Sequence, residues 1–434
     1  MTEFVDNTLG EVCQDSGGII QTGPFGSQLH QSDYSETGIP VVMPADIKNG
    51  RIDETRVARV SEGHVERLKR HKLEVGDIVY GRRGDIGRQA IIRSENEGWL
   101  CGTGCLRLSL GENPRILPEY LHLYLSMPEV IGWIQNQAIG ATMPNLNTQI
   151  LKRVPLIFPE DFDAQKKIVA IVAAYDDLIE NNKRRITLLE NMAEEIYREW
   201  FVRFRFPGWQ EAKFEKGQPV DWILNPVSEA IEINPTERID KGEEKPFVGM
   251  DTLSTNAMYF ETQEWRTGNS GSKFRNGDTL FPRITPCLEN GKRGFVMSLE
   301  EGQVAVGSTE FIVMRGKLVS PEYTYLLCSF PPFRTHAEQS MVGASGRQRV
   351  AENCFSFFLI RVPPVEIMDN FTKLVRPIFN EIGFLNRQNS VLEQTRNQLL
   401  PRLISGKLSV ENLDIQFPPS MQSERSNNTN EAVA

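Results

Sequence analysis

The chain of 434 residues is poor in cysteine and histidine, with six of the first and five of the second. Six cysteines over this length are too few for a disulfide framework, so a reducing, cytoplasmic setting is expected. None of the five histidines falls in a motif, which leaves Ser-His-Asp catalysis without a base. Long hydrophobic runs are also missing. The nearest, Ile168–Tyr175, stops at Asp176-Asp177, well short of the roughly 18 residues of a membrane span. The start, Met1-Thr-Glu-Phe-Val-Asp, lacks the basic and apolar regions of a secretory signal. Basic residues are in deficit, 48 Lys+Arg against 57 Asp+Glu, for a formal charge of -9. A mean charge of that sign speaks against nucleic acid, but it says nothing about patches.

Catalytic motifs are equally scarce. No Gly-x-x-x-x-Gly-Lys-Ser/Thr loop is present, nor a Gly-x-Gly-x-x-Gly after a strand. Cys101 and Cys105 form the only close cysteine pair, and no second pair completes a zinc site, so both are expected to be buried thiols. Phe330-Pro-Pro-Phe333 lacks the Asn or Asp that would open an amino-methyltransferase loop, because Ser329 stands there. No catalytic residue and no metal ligand is therefore assigned.

What the chain does have is an internal repeat. Gly76-Asp-Ile-Val-Tyr recurs as Gly277-Asp-Thr-Leu-Phe at an offset of 201. Pro118-Glu-Tyr recurs as Pro321-Glu-Tyr, Gly140-Ala-Thr as Gly343-Ala-Ser, and Leu188-Leu-Glu-Asn as Val391-Leu-Glu-Gln, all at 203. Pro40–Asp46 resembles Pro246–Asp251 with a one-residue slip. Order and spacing kept over this distance indicate a tandem duplication.

Each half ends in a heptad seam. Ile168, Val172, Tyr175, Ile179, Asn182, Ile186, Leu189, Ala193, Ile196 and Trp200 alternate in steps of four and three. So do Phe371, Val375, Ile378, Ile382, Leu385, Asn389, Leu392, Arg396, Leu399 and Leu403. The pattern predicts two long helices forming an antiparallel coiled coil about a pseudo-twofold, with Asn182 and Asn389 meeting near the centre to fix register. Pro377 predicts that the second helix starts near it or bends there. The region before each helix reads as mixed α and β with short, largely antiparallel strands: Ile78–Tyr80, Gln89–Ile92 and Cys105–Leu110, then Thr279–Phe281, Phe295–Met297 and Glu310–Met314. The fold class is accordingly α+β: two duplicated α/β domains separated by two long helices.

Local charge departs from the mean. Glu66–Arg93 holds eight Lys/Arg against four acids, and Trp265–Arg293 holds six against two. These windows sit at equivalent places in the two halves and suit two grips on one phosphate backbone. The candidates are Lys69, Arg70, Arg82, Arg83 and Arg88 in the first half, and Lys273, Arg275, Arg283, Lys292 and Arg293 in the second. A second pair of candidates comes from equivalent loops: Asn145 and Asn147, then Arg347, Gln348 and Arg349. Asn and Gln suit adenine edges and Arg suits guanine. Solvated surface charge and plain turn chemistry remain the alternatives for both sets. For the chain as a whole the alternatives are a coiled-coil scaffold with no DNA role, or a methyltransferase or nuclease with unrecognised motifs.

Five stretches carry a resemblance: Gly23-Pro-Phe-Gly-Ser-Gln-Leu29, Gly140–Asn147, Gln165-Lys-Lys-Ile-Val-Ala-Ile-Val, Asn386-Arg-Gln-Asn-Ser-Val-Leu-Glu-Gln and Leu399-Leu-Pro-Arg-Leu-Ile-Ser-Gly-Lys-Leu408. With them the chain resembles the specificity (S) subunits of Type I restriction-modification systems over nearly its whole length. The resemblance implies target-recognition domains at 1–160 and 206–365 and conserved long helices at 161–205 and 366–408; the remaining tail, 409–434, is expected to be disordered from the polar composition of Pro418 to Ala434. It implies that each recognition domain reads half of a split DNA sequence, while the helix pair spaces the halves and docks two modification subunits. Restriction subunits would join them, and S-adenosylmethionine, ATP and Mg²⁺ would belong to these partners, none being bound by this chain. The Gly23–Ser27 motif has no clear copy in the second half, where Glu232-Ile-Asn-Pro235 stands instead.

Overall fold

The computed structural model describes residues 3–138, 145–262, 264–344, 348–418 and 421. The chain forms two compact units, residues 1–178 with 392–434, and residues 179–391. Both long helices are divided between the units, so neither helix belongs to one domain alone. The first helix runs Phe162–Tyr197 and the second Val365–Ile404.

In the first unit a four-stranded antiparallel sheet has the order Gly17–Thr22, Cys105–Gly111, Ile78–Gly81, Gln89–Ile91. In the second the same order appears as Ile231–Ile233, Phe311–Gly316, Thr279–Pro282, Gly294–Phe295. A second sheet also recurs. Leu100–Cys101 pairs parallel with Ile39–Val42, which pairs antiparallel with Ala58–Val60. Its counterpart is Ala305–Gly307 parallel with Lys245–Val248, then Glu264–Arg266. The copies differ at the edges. Tyr34–Ser35 extends the first sheet beyond Ala58–Val60, whereas Ser272–Phe274 extends the second beyond Ala305–Gly307.

The repeated Gly-Asp motif is a turn that starts the central strand of each sheet. Gly76 and Gly277 adopt φ of 88° and 91°, a region costly for any residue with a Cβ. Each turn is closed by its aspartate, which accepts from the backbone N–H three residues back, of Glu74 in one copy and Arg275 in the other. The motif shared by the two halves is thus a folding signal.

In the second unit Ile186, Ala193, Phe371, Val375, Ile382 and Leu385 enter one core with Phe281, Leu326 and Phe355 of the domain. The first helix ends in a π-turn over Arg198–Val202, where Phe201 lies 4.7 Å from both Tyr323 and Phe371, ring to ring. Asn182 Nδ2 donates to Asn389 Oδ1 at 2.9 Å and to Gln388 Oε1 at 2.9 Å, and the two asparagines are 1% and 6% exposed. Arg185 pairs with Glu381 at 2.8 Å, so residue numbers fall on one helix as they rise on the other: this stretch is antiparallel. In the first unit Ile168, Val172, Leu400 and Leu403 join the core of that domain, and Arg396 pairs with Asp176 at 2.5 Å.

Two expectations need correction. The second helix is continuous through Pro377, beginning twelve residues earlier at Val365. Residues after 408 do not leave the fold at once: Val410 is buried in the first core, and Lys167 Nζ donates to the Glu411 carbonyl at 3.0 Å. The rest of that expectation, residues 419, 420 and 422–434, lies outside the described residues.

Candidate nucleic-acid interface

In the first domain the basic turn Lys69–His71 is anchored to the sheet rather than dangling. Gln21 Nε2 donates to the Arg70 carbonyl at 2.5 Å, and Arg107 Nη1 donates to the same oxygen at 3.3 Å. Arg107 is itself fixed by a buried ion pair with Asp77 at 2.6 Å and by Glu74 at 3.2 Å, its side chain only 6% exposed. Lys69 and Arg70 are left exposed on this support. The second domain builds the same device from another ladder position. Asp278 takes Arg315 at 2.7 Å, and Glu237 takes Arg315 at 2.7 Å and Arg275 at 3.7 Å. Sequence reasoning missed these two clusters, although one arginine inside an apolar strand, as in Cys105-Leu-Arg-Leu-Ser-Leu, is a signal that a buried acid waits opposite.

Burial first, then the Arg70 and Arg107 charges, pushes His71 down to about 4; burial, with Arg93 and Arg51, does the same to His122. Neutral His71 accepts from Arg70 Nε at 2.9 Å. Unfolding frees both rings to take up protons below their ordinary value of 6.5. Stability is therefore fully present above about pH 6.5 and is lost as pH falls toward about 4. His122→Gln should flatten part of that acid slope in urea-unfolding midpoints between pH 7 and 4.5; a slope equal to wild type would exclude His122 as a contributor.

The other candidates divide by what holds them. Arg83 is exposed. Arg88 pairs with Asp85 at 2.7 Å on the surface. Arg82 Nε donates to the Leu146 carbonyl at 3.2 Å. Asn147 Oδ1 accepts from Ile150 N at 2.9 Å, capping the short helix Thr148–Lys152, which is turn chemistry; Asn145 is exposed beside it. Lys273 is half-buried and Arg275 exposed, while Arg283 pairs with Glu352 at 3.0 Å. Lys292 Nζ donates to the Met250 carbonyl at 2.9 Å. Arg293, its side chain 17% exposed, pairs with Glu194 of the first long helix at 3.3 Å and lies 5.5 Å from the Tyr325 ring. Those partners give Arg293 a packing role, tying its domain to the helix. Gln348 is half-buried; Arg349 is gripped by both carboxylate oxygens of Glu310, and Arg347 lies outside the described residues. The exposed candidates are therefore Lys69, Arg70, Arg83, Arg88, Asn145, Asn147, Arg275 and Arg349, of which Arg88, Arg275 and Arg349 are held by carboxylates.

Gly23 shows why its motif has no second copy. A Cβ there would stand 2.1 Å from the Gly102 carbonyl oxygen. In the second domain the corresponding ladder stops at Ile233. Asn234 then turns at φ 51°, its N–H donating to the Val313 carbonyl and its Oδ1 accepting from Val313 N.

Among the described residues all six cysteines are free, and no cluster of His, Cys, Asp or Glu could hold a metal ion. No helix among them is long and apolar enough to cross a membrane.

Comparison with known proteins places this architecture. Residues 1–191 match the family model of the Type I restriction modification DNA specificity domain. The chain is similar to Type I restriction enzyme specificity subunits, over that segment by the family model and over most of its length by the first of the relatives that follow. It is 23% identical to the Type I restriction enzyme MjaIX specificity subunit of Methanocaldococcus jannaschii over 441 residues, covering 95% of this chain and 98% of that one. It is 33% identical to the EcoEI specificity subunit of Escherichia coli over 176 residues, which covers 38% of this chain and 29% of the relative. The fold is that of the S subunit of a Type I system from M. genitalium, with a TM-score of 0.56, 12% identity and coverage of 96% of this chain and 97% of that one.

Proposed function

We propose that this chain recognises a bipartite DNA sequence, one half with each recognition domain, and scaffolds the modification and restriction subunits of a Type I complex. The observation that carries this reading is the duplicated domain, each copy placing basic side chains on a buried Arg–Asp support. Two separate grips joined by helices suit two half-sites separated by bases that neither domain reads. The helix pair is the docking element for two modification subunits. S-adenosylmethionine, ATP and Mg²⁺ act in those partner subunits, and the complex works in the cytoplasm.

Methylome sequencing of a host expressing the chain with its partner subunits should return one methylated motif in two parts. A contiguous motif would overturn the bipartite reading. In DNA binding by the complex, Lys69→Ala with Arg70→Ala should lower the slope of log affinity against log salt by about one for each phosphate that is no longer neutralised.

A further inference from the structure

The two domains carry the same arginine at the end of the same strand, and they use it differently. Arg82 follows Ile78–Gly81, and Arg283 follows the equivalent Thr279–Pro282 at Pro282. Their backbones are held alike: Leu146 N donates to the Arg82 carbonyl at 2.9 Å, and Val350 N to the Arg283 carbonyl at 2.8 Å. In the first domain the Arg82 Nε donates back to the Leu146 carbonyl at 3.2 Å. In the second the corresponding Arg283 Nε is buried and finds no hydrogen-bond partner among the described residues. Such an orphaned donor carries the cost of its lost hydration unless something outside the chain accepts from it.

Arg283 lines a cavity of about 280 Å³ together with Lys273, Asn234, Thr236, Thr309 and Glu237. At about 30 Å³ for each water molecule, that is room for one phosphate group and some of its water. Lys273, which forms no ion pair among the described residues, is part of the same lining. Glu237 does not offset the Lys273 charge, because Arg315 at 2.7 Å and Arg275 at 3.7 Å already neutralise its carboxylate. Thr236 and Thr309 add hydroxyl groups to the same lining. Glu352 holds the Arg283 guanidinium from its other side, 3.0 Å from Nη1, so Arg283 offers the cavity its unpaired buried Nε–H; with Lys273 and the two hydroxyls, that lining has the chemistry of an oxyanion site.

We infer that the second recognition domain holds a phosphate group in this cavity between Lys273 and Arg283, and that the group is a backbone phosphate of the bound DNA. The inference rests on the DNA-recognition reading and adds an asymmetry to it: the second domain clamps one phosphate in a pocket where the first has closed the equivalent arginine onto its own loop. Two sources share the chemistry, a DNA phosphate and free inorganic phosphate.

The test compares the full chain with Lys273→Gln and Arg283→Gln, each first checked for an unchanged circular-dichroism spectrum and melting temperature in chloride buffer. Duplex DNA binding is measured from 50 to 200 mM salt, and melting is repeated in orthophosphate at matched ionic strength. The expected result is a salt slope lower by about one in both variants, with no phosphate-specific rise in melting temperature. Wild-type slopes in both variants, with DNA still bound, would overturn the pocket and leave the DNA reading standing. A phosphate-specific stabilisation of wild type that both variants lose, with unchanged slopes, would assign the pocket to free phosphate and overturn the DNA source. Wild-type protein that binds no duplex and is not stabilised by phosphate would overturn both readings.

Discussion

On the proposed bipartite reading, duplicating one heptad in each long helix, after Leu178 in the first and after Val391 in the second, is expected to change the spacer of the recognised sequence by about three base pairs. Seven residues add about 10.5 Å to a helix and keep the apolar seam on one side. With a rise of about 3.4 Å per base pair, that length is about three steps of duplex. The insertion points lie where the chain divides into its two compact units, so neither domain core is cut. Neither the Asn182–Asn389 pair nor the Asp176–Arg396 pair loses a residue. Both half-site sequences should stay the same while the gap grows. Methylome sequencing with the partner subunits reads the outcome directly. An unchanged spacer in an active, methylating variant would show that the helices do not set the distance, and the original sites should lose protection if they do.

Asp77→Ala is expected to be the most damaging single substitution in the first domain, at about 3–5 kcal/mol, because it strands the Arg107 guanidinium in the interior. Burial holds the Asp77 carboxyl above its usual range, and the backbone N–H of Glu74 and the Arg107 charge only partly oppose that. The aspartate side chain is 3% exposed and the arginine 6%, so water cannot replace the missing partner. Glu74 stays within 3.2 Å but is mostly in solvent and compensates little. The effect should reach the surface as well. Arg107 also donates to the Arg70 carbonyl, so the turn carrying Lys69 and Arg70 loses a support. Urea unfolding followed by a probe in the first domain measures the stability term, and Asp85→Ala, at an exposed pair with Arg88, is the matched control. Equal losses for the two variants would remove the buried pair from its central role.

The sequence made the architecture legible because two of its signals are periodic. Heptad spacing over twenty positions can be met only by long helices with a buried face, and none of the twenty is exposed in the structure. Repeated Gly-Asp pairs mark turns that need positive φ, and these recur at equivalent strand starts. The strands Ile78–Gly81 and Thr279–Pro282 follow directly. Charge was less legible. The two basic windows mix side chains with opposite fates: Lys69 and Arg70 are presented to solvent, whereas Arg293 packs against Glu194 and Tyr325. A window sum cannot separate them, since a lysine or arginine has the same charge whether water or a carboxylate faces it.

By itself, then, the sequence determined the duplication, the two long helices, the central asparagines and the absence of a recognisable catalytic motif. Only the tertiary structure decided which arginines are free, because their partners come from distant parts of the chain. Asp77 meets Arg107 across thirty residues, Glu194 meets Arg293 across ninety-nine, and Glu310 meets Arg349 across thirty-nine. Hydrophobic periodicity is a local property repeated along a helix or strand, so it can be read in order. Electrostatic pairing depends on which strand lies beside which, and on how much water each side chain keeps; that is settled only once the chain has folded.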